Sequence, residues 1–391
     1  MYRKIYLYLA AITLTLVATI TSCSGGNGGS IEGDVQEFTH ARLLNVTQCD
    51  GYTVADIRNP WAKDSASALL HRYILVPRDA ETPASVPEGQ VVYTPIERAA
   101  VFTSVHASLL EQLGAYDAIR GVADLQYMYL DRIHEDVRKG RIVDCGVSDN
   151  PTIEKVIDLA PEAIVISPFE NSGSYGKLGK LNIAIIEAAD YMEEDALGRA
   201  EWMRFYGMLF GRQSTADSLF SAIAAEYDSL KALVADVADK PTVVTEKKYG
   251  SQWFVAGDNS VVGRLLRDAG ADYIFSDEKA RGTVPYSPEK VFDRAHDADV
   301  WLIKYGQDMP LTYQQLASEW GNYARMKSFT TQRIYGCNLS KVPFYEETPF
   351  HPQLLLRDYI NIFHPEILND KTLRYYHPLD SAAGTPAAGD K

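Results

Sequence analysis

The sequence predicts an α/β protein made of two similar lobes joined by a long helix, with a small β-rich addition before the first lobe. Three observations lead to this prediction. Short apolar strands alternate with amphipathic helices in two stretches of the chain, a helix–strand segment recurs in both stretches, and a long helical region separates them. Alternating strands and helices are typical of parallel sheets covered by helices.

The addition, residues 41–90, has a pattern of its own. Short alternating apolar stretches are interrupted by the turn pairs Asp50-Gly51 and Asn59-Pro60. Turn residues between alternating runs predict strands connected by tight turns. We therefore expect a small antiparallel sheet here.

Each lobe is predicted from short apolar runs and their flanking turns. The first lobe, residues 91–196, is expected to contain strands at 99–103, 119–123 and 163–167 and helices at 108–113 and 153–159. The second lobe, residues 241–370, is expected to contain strands at 242–245 and 300–303 and helices at 261–268 and 288–294.

Residues 197–240 are predicted to be the helical connection between the lobes. Their apolar side chains follow helical spacing at Leu219, Ile223, Tyr227, Leu230 and Val234. Ser214 is a residue type that can cap a helix. A helix from residue 214 to 236 would be about 34 Å long at 1.5 Å per residue, which is enough to connect two lobes.

The internal repeat is the strongest evidence for two related lobes. Residues 152–166 align without gaps to residues 287–301, and both segments contain a predicted helix followed by a strand. The aligned segments are identical at Glu154/Glu289, Lys155/Lys290, Val156/Val291, Asp158/Asp293, Ala160/Ala295, Ala163/Ala298 and Val165/Val300. A second, shorter likeness relates residues 109–115 to residues 265–271.

The first 22 residues have the layout of a secretory signal peptide, with Arg3 and Lys4 before an apolar run at 5–20. The run ends at Cys23 in a pattern that resembles the bacterial lipobox, which implies cleavage before this cysteine and its acylation. An ordinary signal peptide with an incidental cysteine is the alternative. Residues 23–40 begin with a glycine-rich stretch typical of a flexible tether, so a lipid-held protein is expected.

Composition excludes several classes of function. The net charge is −14 and no dense block of Lys and Arg is present, so nucleic acid is not an expected partner. No CxxC pair occurs, and neither a metal site nor a resident cofactor is expected. Either one disulfide or free buried thiols would fit the cysteines after Cys23, which are Cys49, Cys145 and Cys337. The tail, residues 371–391, is expected to be disordered from Ser381.

Each repeat places a glutamate, Glu154 or Glu289, in the first turn of a helix. A carboxylate there can simply complement the helix dipole, which contributes about 0.3–1 kcal/mol. The matched pair also predicts two docking points, one on each lobe, for arginines of a two-subunit partner.

The chain resembles the periplasmic binding proteins for iron siderophores, haem and cobalamin. The resemblance covers roughly residues 91–368 and rests on four motifs in the order of that family: 110–114 before Gly121-Val122, 152–156 leading to 159–165, 288–291 leading to 298–300, and 351–355. It implies two Rossmann-like lobes joined by a rigid helix. It also implies that Glu154 and Glu289 dock to the permease dimer of an ABC importer. Residues 31–90 do not match the family layout.

The ligand site is expected between the lobes, where loops follow the carboxyl ends of the strands. Aromatic side chains in these loops suit a large chelate, because they combine apolar area with polar tips. The first lobe offers Ser104, His106, Tyr127, Tyr129, Phe169, Asn171 and Tyr175, and the second offers Trp253, Arg281, Tyr286, Tyr305 and Tyr345. His106 and Tyr129 are also candidates for direct ligation of haem or ferric iron.

The resulting expectation is a monomeric solute-binding protein that is not an enzyme. It would be anchored in a membrane by its lipid, face the periplasm of a Gram-negative bacterium, and deliver a metal chelate to an ABC permease. Two alternatives are a lipid-anchored hydrolase that uses Ser104 and His106, and a surface adhesion or assembly lipoprotein. The sequence contains no Gly-x-Ser-x-Gly motif that would favour the hydrolase.

Overall fold

The structure is a computed structural model that describes residues 31–380 except 63, 65–67, 82 and 171–174. The predicted signal peptide, Cys23, Asn171 and the tail from Ser381 therefore lie outside the described residues. Among the residues that are described, no helix has the length and apolar character needed to cross a membrane.

The first five strands form a sheet, which we call the N-terminal sheet. Its strands, in spatial order, are β1 (Asp34–Gln36), β2 (Leu44–Cys49), β3 (Tyr52–Arg58), β4 (Leu69–Pro77) and β5 (Gln90–Thr94). Strands β1 to β4 are antiparallel, but β5 runs parallel to β4. The expected sheet was antiparallel throughout. The difference arises because β5 pairs with β4 in the same direction, so the two strands are not joined by a tight hairpin turn.

The first lobe contains a parallel five-stranded sheet in the order β12-β11-β6-β7-β8 and a small antiparallel pair, β9 and β10. Helix α1 begins four residues before the predicted start, because Val105 and Ala107 are buried. The elements are β6 (Ala99–Val101), α1 (Ser104–Gln112), β7 (Ile119–Val122), α2 (Asp131–Arg138), β8 (Val143–Asp144), β9 (Gly146–Val147), β10 (Asn150–Pro151), α3 (Ile153–Leu159), β11 (Ala163–Ile166) and β12 (Ala184–Glu187).

Three consecutive helices form the connection: α4 (Ala196–Glu201), α5 (Met203–Leu209) and α6 (Gln213–Leu233). The 21 residues of α6 extend about 31 Å. Ser214 lies inside its first turn, and no side chain caps this helix. The predicted capping role of Ser214 is therefore wrong.

The second lobe repeats the architecture of the first. Its main sheet has the order β16-β13-β18-β19-β20, with only β20 antiparallel, and β14, β15 and β17 form a small antiparallel sheet. The elements are β13 (Thr242–Thr245), β14 (Lys248–Tyr249), β15 (Gln252–Ala256), α7 (Val261–Asp268), β16 (Asp272–Tyr273), β17 (Thr283–Tyr286), α8 (Pro288–Ala295), β18 (Val300–Tyr305), α9 (Tyr313–Glu319), α10 (Lys327–Thr330), β19 (Ile334–Asn338), α11 (Phe344–Glu347), α12 (Pro352–Phe363) and β20 (His377–Pro378).

The repeat recognised in the sequence is a structural repeat. Helix α3 leads into β11 and helix α8 into β18, and both strands are paired on both sides within their main sheets. The predicted fold class, two α/β lobes joined by a long helix with a β addition, is confirmed. Cys49, Cys145 and Cys337 are free thiols, and only Cys49 is not fully buried.

Two buried carboxylates attach the start of the N-terminal sheet to the connecting helices. Glu201 in α4 is 0% exposed, and its oxygens accept hydrogen bonds from the backbone N–H groups of Thr39 (3.1 Å), His40 (2.8 Å) and Ala41 (2.8 Å). Glu193, just before α4, accepts hydrogen bonds from the next two backbone N–H groups and from Trp202 Nε1. We call this arrangement, residues 39–43 with Glu193 and Glu201, the carboxylate clamp.

Candidate ligand-binding site

The two lobes meet at the carboxyl ends of their parallel strands. Tyr129 lies in the loop after β7, and its backbone N–H donates to Glu346 Oε1 at 2.8 Å. The Tyr129 hydroxyl donates to the carbonyl oxygen of Leu339. Leu339 and Glu346 both follow β19 of the second lobe. Strand ends from both lobes therefore lie next to each other, which is where parallel α/β folds bind ligands.

A second contact between the lobes involves Glu194, which lies between β12 and α4. Its carboxylate pairs with Arg264 of α7 at 3.1 Å and with Arg281 at 2.6 Å. Arg281, a predicted ligand contact, is therefore already paired with a carboxylate. Lys304, another cation of this region, pairs with Glu246 and lies over the ring of Phe344.

Several of the predicted aromatic residues are exposed at positions that follow strands of the two main sheets. Tyr127 follows β7, Phe169 follows β11 and Tyr345 follows β19, and they are 67%, 60% and 57% exposed. Tyr305 ends β18 and Tyr286 ends β17, and both are half-buried. The Tyr286 hydroxyl donates to Glu278.

His106 lies in the core rather than at the junction of the lobes. It is 1% exposed, its Nε2 pairs with Asp190 Oδ1 at 2.9 Å, and its Nδ1 bonds to Thr103 Oγ1. Its ring packs against Tyr206 and Phe350. Both ring nitrogens of His106 already have hydrogen-bond partners, so neither is available to ligate iron. Ser104 is half-buried at the start of α1, and no described contact joins it to His106.

Trp253 is also a core residue. It is 0% exposed, its Nε1 donates to the carbonyl oxygen of Thr245, and its ring packs against Trp301 and Tyr323. The predicted places of Trp253 and His106 in the ligand site therefore do not agree with the structure. A single sequence shows an aromatic residue near a strand but not the face on which it lies.

A large cleft with a volume of about 2020 Å³ lies between the N-terminal sheet and the first lobe. Phe169 and Tyr175, both predicted ligand contacts, line it. A smaller cavity of about 410 Å³ lies at the start of α3 and is lined by Phe169, Tyr175 and Glu154. The sequence predicted Phe169 and Tyr175 as ligand contacts, but it did not predict a cleft beside the N-terminal sheet, because residues 31–90 match no family motif.

Two residues of the large cleft that sequence reasoning missed are His71 in β4 and Glu187 at the end of β12. Burial raises the pKa of Glu187, and a hydrogen bond from Tyr175 partly offsets this. Burial lowers the pKa of His71, and the neighbouring Gln90 side chain partly offsets that shift. At neutral pH the imidazole is therefore neutral.

Glu154 and Glu289 occupy equivalent places in the first turns of α3 and α8. Both side chains are exposed, and neither forms an ion pair with any described residue. Ser287 caps α8 by accepting a hydrogen bond from the backbone N–H of Lys290, whereas Thr152 makes no such bond in α3.

Comparison with known proteins identifies the family. The model of the family named Periplasmic binding protein matches residues 99–338. An uncharacterized lipoprotein of Methanocaldococcus jannaschii is 24% identical over 370 residues, which cover 89% of this chain and 87% of that protein.

Two solved structures share the fold. A possible iron-binding, periplasmic solute-binding protein of Staphylococcus epidermidis has a TM-score of 0.53 at 20% identity, covering 68% of this chain and 99% of that one. A periplasmic binding protein of Veillonella parvula has a TM-score of 0.57 at 15% identity, covering 74% and 98%. The family match covers residues 99–338, and the two repeated lobes and their connecting helices agree with it. The chain therefore belongs to the periplasmic binding protein family.

Proposed function

We propose that this periplasmic binding protein is the solute-binding component of an ABC importer, and that it captures an iron chelate or cobalamin and delivers it to a permease dimer. The observation that carries the proposal is the junction of the two lobes, where exposed aromatic residues follow strands of both main sheets. A possible iron-binding protein with the same fold supports this class of solute.

The proposed ligand contacts are aromatic residues that follow or end strands of the two lobes: Tyr127, Tyr129, Phe169, Tyr286, Tyr305 and Tyr345. Aromatic side chains of this kind bind large ligands at a low cost in side-chain entropy. Arg281 would contribute only if the ligand displaced it from Glu194. No chemical step is proposed, because the Ser104 and His106 pair that a hydrolase would need is not joined in the structure.

We further propose that Cys23 carries a lipid and that the mature chain works at a membrane surface as a monomer. The lipoprotein of Methanocaldococcus jannaschii supports the lipid anchor. Because that relative is archaeal, it does not support the narrower expectation of a Gram-negative bacterium.

The test is a fluorescence titration of the purified protein with ferric hydroxamate, ferric catecholate, ferric protoporphyrin and cobalamin. We expect one of these to bind tightly, and Tyr127→Ala with Tyr345→Ala to weaken that binding at least tenfold. Leu233→Ala, which changes an exposed apolar residue at the end of α6, is the control and should bind normally. Absence of binding across the panel, or unchanged binding by the double variant, would contradict the proposal.

A further inference from the structure

The cleft of about 2020 Å³ beside the N-terminal sheet lies along one edge of that sheet. The sheet contributes two unbroken runs to its lining, residues 69–72 and residues 88–93. Successive residues of a strand point to opposite faces of a sheet, so a cleft over one face would contact only alternate residues. The unbroken runs therefore indicate that the cleft follows the edge.

This edge consists of β5 and the first part of β4. Strand β5 is the last in the order of the N-terminal sheet, and among the described residues it pairs only with β4. The pairing of β4 with β5 begins at Tyr73 and Gln90, so residues 69–72 of β4 extend beyond β5 and have a strand neighbour only in β3. Both segments therefore present to the cleft a side that has no neighbouring strand.

The opposite wall of the cleft contains a second edge strand, β12, but side chains of the N-terminal sheet already cover that edge. The Gln90 side chain accepts the backbone N–H of Ile185 at 3.3 Å. The Tyr73 hydroxyl donates to the carbonyl oxygen of Ile185 at 2.9 Å and accepts the backbone N–H of Glu187 at 2.8 Å. Of the two edges, the one along β5 is therefore the one that a further strand could join.

Strand β5 also lacks the features that protect the edges of natural sheets. Short length, charged side chains and proline are the usual means by which an edge is kept from pairing with another chain. Strand β1, at the other edge of the sheet, has three residues and begins with Asp34. Strand β5 has five residues with neither a charge nor a proline, and its Val91 and Tyr93 are exposed.

The dimensions of the cleft suit a single extended segment. Residues 88–93 span about 20 Å at 3.3 Å per residue, so the cleft has a mean cross-section of about 100 Å². A strand with a spacing of about 4.8 Å and a thickness of about 10 Å needs roughly half of that area. A second copy of the protein would have to bring its whole sheet between the two walls, whereas one extended segment needs only the space of one strand.

We propose that an extended segment of a partner polypeptide binds in this cleft and adds a sixth strand to the N-terminal sheet beside β5. Strand addition takes its affinity from main-chain hydrogen bonds and its specificity from alternate side chains. Val91 and Tyr93 lie on the same face of β5, so the segment should carry apolar side chains at the alternate positions that pack beside them.

The charged side chains of the cleft fit a polypeptide better than a polyanion. Lys177 and Lys180 are exposed in its lining and form no ion pair with a described residue. The same is true of Glu88 and Glu170. A segment that carries both acidic and basic side chains can complement both pairs.

This surface is separate from the ligand site proposed between the lobes and does not depend on it. It also assigns a role to the N-terminal sheet, which the matched family region, residues 99–338, does not include.

The experiment selects a display library of random ten-residue peptides on the immobilised full chain. Enriched peptides should alternate apolar and polar side chains, and synthetic copies should slow amide hydrogen exchange at residues 90–94. Val91→Lys places a charge on the edge and should weaken their binding at least tenfold.

Methylation of peptide nitrogens distinguishes strand addition from other modes of binding. Only one alternate set of the N–H groups of an added strand faces β5. Methyl groups on that set should weaken binding at least tenfold, whereas methyl groups on the other set should change it less than threefold.

Val35→Lys is the matched control, because it makes the same substitution at an exposed valine in β1, on the other edge of the same sheet. It should bind the peptides as the wild type does. If Val91→Lys fails to fold, as judged by circular dichroism, Leu69→Lys takes its place, since Leu69 is exposed on the same edge.

The proposal is overturned if no peptide is enriched, if the folded edge variant binds the peptides unchanged, or if both sets of methyl groups weaken binding equally. Loss of binding in Tyr345→Ala but not in Val91→Lys would place the peptide between the lobes and would also overturn it. Self-association of the wild type that Val91→Lys abolishes would assign the edge to a second copy and reject a partner segment.

Discussion

Tyr129 and Glu346 join the two lobes through a hydrogen bond of 2.8 Å from a backbone N–H to a carboxylate oxygen. Glu346 is 3% exposed, and burial raises its pKa to about 7, although the bond from Tyr129 acts in the opposite direction. The contact between the lobes therefore contains a carboxyl group that titrates near neutral pH.

Glu346 should make the stability of the protein fall as pH rises from about 4.5 to about 7. In that range the folded state holds a proton on Glu346 that the unfolded state has released, so folding is favoured at the acidic end. The full effect is about 3 kcal/mol. Glu346→Gln keeps an oxygen for Tyr129 and should flatten this dependence in urea unfolding measured between pH 5 and pH 8.

The exposed Glu366 provides the control for that measurement. Glu366→Gln should leave the pH dependence as it is in the wild type. Equal slopes for the Glu346 and Glu366 variants would show that Glu346 is ionised throughout the range.

His106 should contribute to stability and not to ligand binding. Asp190, its buried partner, is 0% exposed; burial acts to raise the pKa of Asp190, but His106 and Arg199 lower it overall. His106→Ala removes one partner of a buried carboxylate and should lower the free energy of unfolding by about 3 kcal/mol. Ligand affinity, measured under conditions where the variant is folded, should stay within twofold of the wild type. A variant that kept its stability but lost ligand affinity would show that His106 contributes to ligand binding.

The double variant Glu154→Ala with Glu289→Ala should keep ligand affinity and lose uptake. Each carboxylate contributes no more than about 1 kcal/mol to its helix, so folding should change little. Uptake of labelled ligand by cells that carry the cognate permease is the measurement. Asp158→Ala with Asp293→Ala, at exposed repeat-related positions of the same helices, is the matched control. Normal uptake by the glutamate variant would contradict the role of Glu154 and Glu289 in docking to the permease.

Glu201→Ala should release the start of the N-terminal sheet from the connecting helices. Three backbone N–H groups would lose their acceptor, at a cost of about 3 kcal/mol or more. We expect a lower midpoint in urea unfolding and faster limited proteolysis near residues 39–43. Glu37→Ala, at an exposed residue, should be cleaved no faster than the wild type. Equal cleavage of the two variants would contradict the role of the clamp.

The local pattern of the sequence was sufficient for much of the fold. Helix α3, strand β13 and helix α7 have the predicted bounds, because their apolar spacing and flanking turns lie within a few residues of each other. The site was harder to predict. His71 and Glu187 come from distant parts of the chain and meet only because β4 packs beside β12 through Tyr73. His106 was wrongly predicted to contact the ligand for the same reason: its buried partner Asp190 is distant in sequence, so the local pattern could not indicate their pairing.

The carboxylate clamp determines how a pull from a membrane tether would pass from the N-terminal sheet to the rest of the protein. Residues 39–43 are bonded to Glu193 and Glu201 of the connection rather than to the cleft-facing loops of either lobe. A pull on the chain before residue 34 would therefore reach β1 of the N-terminal sheet first and then, through the clamp, the connecting helices. The load would then pass through the N-terminal sheet and the connecting helices before it reached the loops at the junction of the lobes.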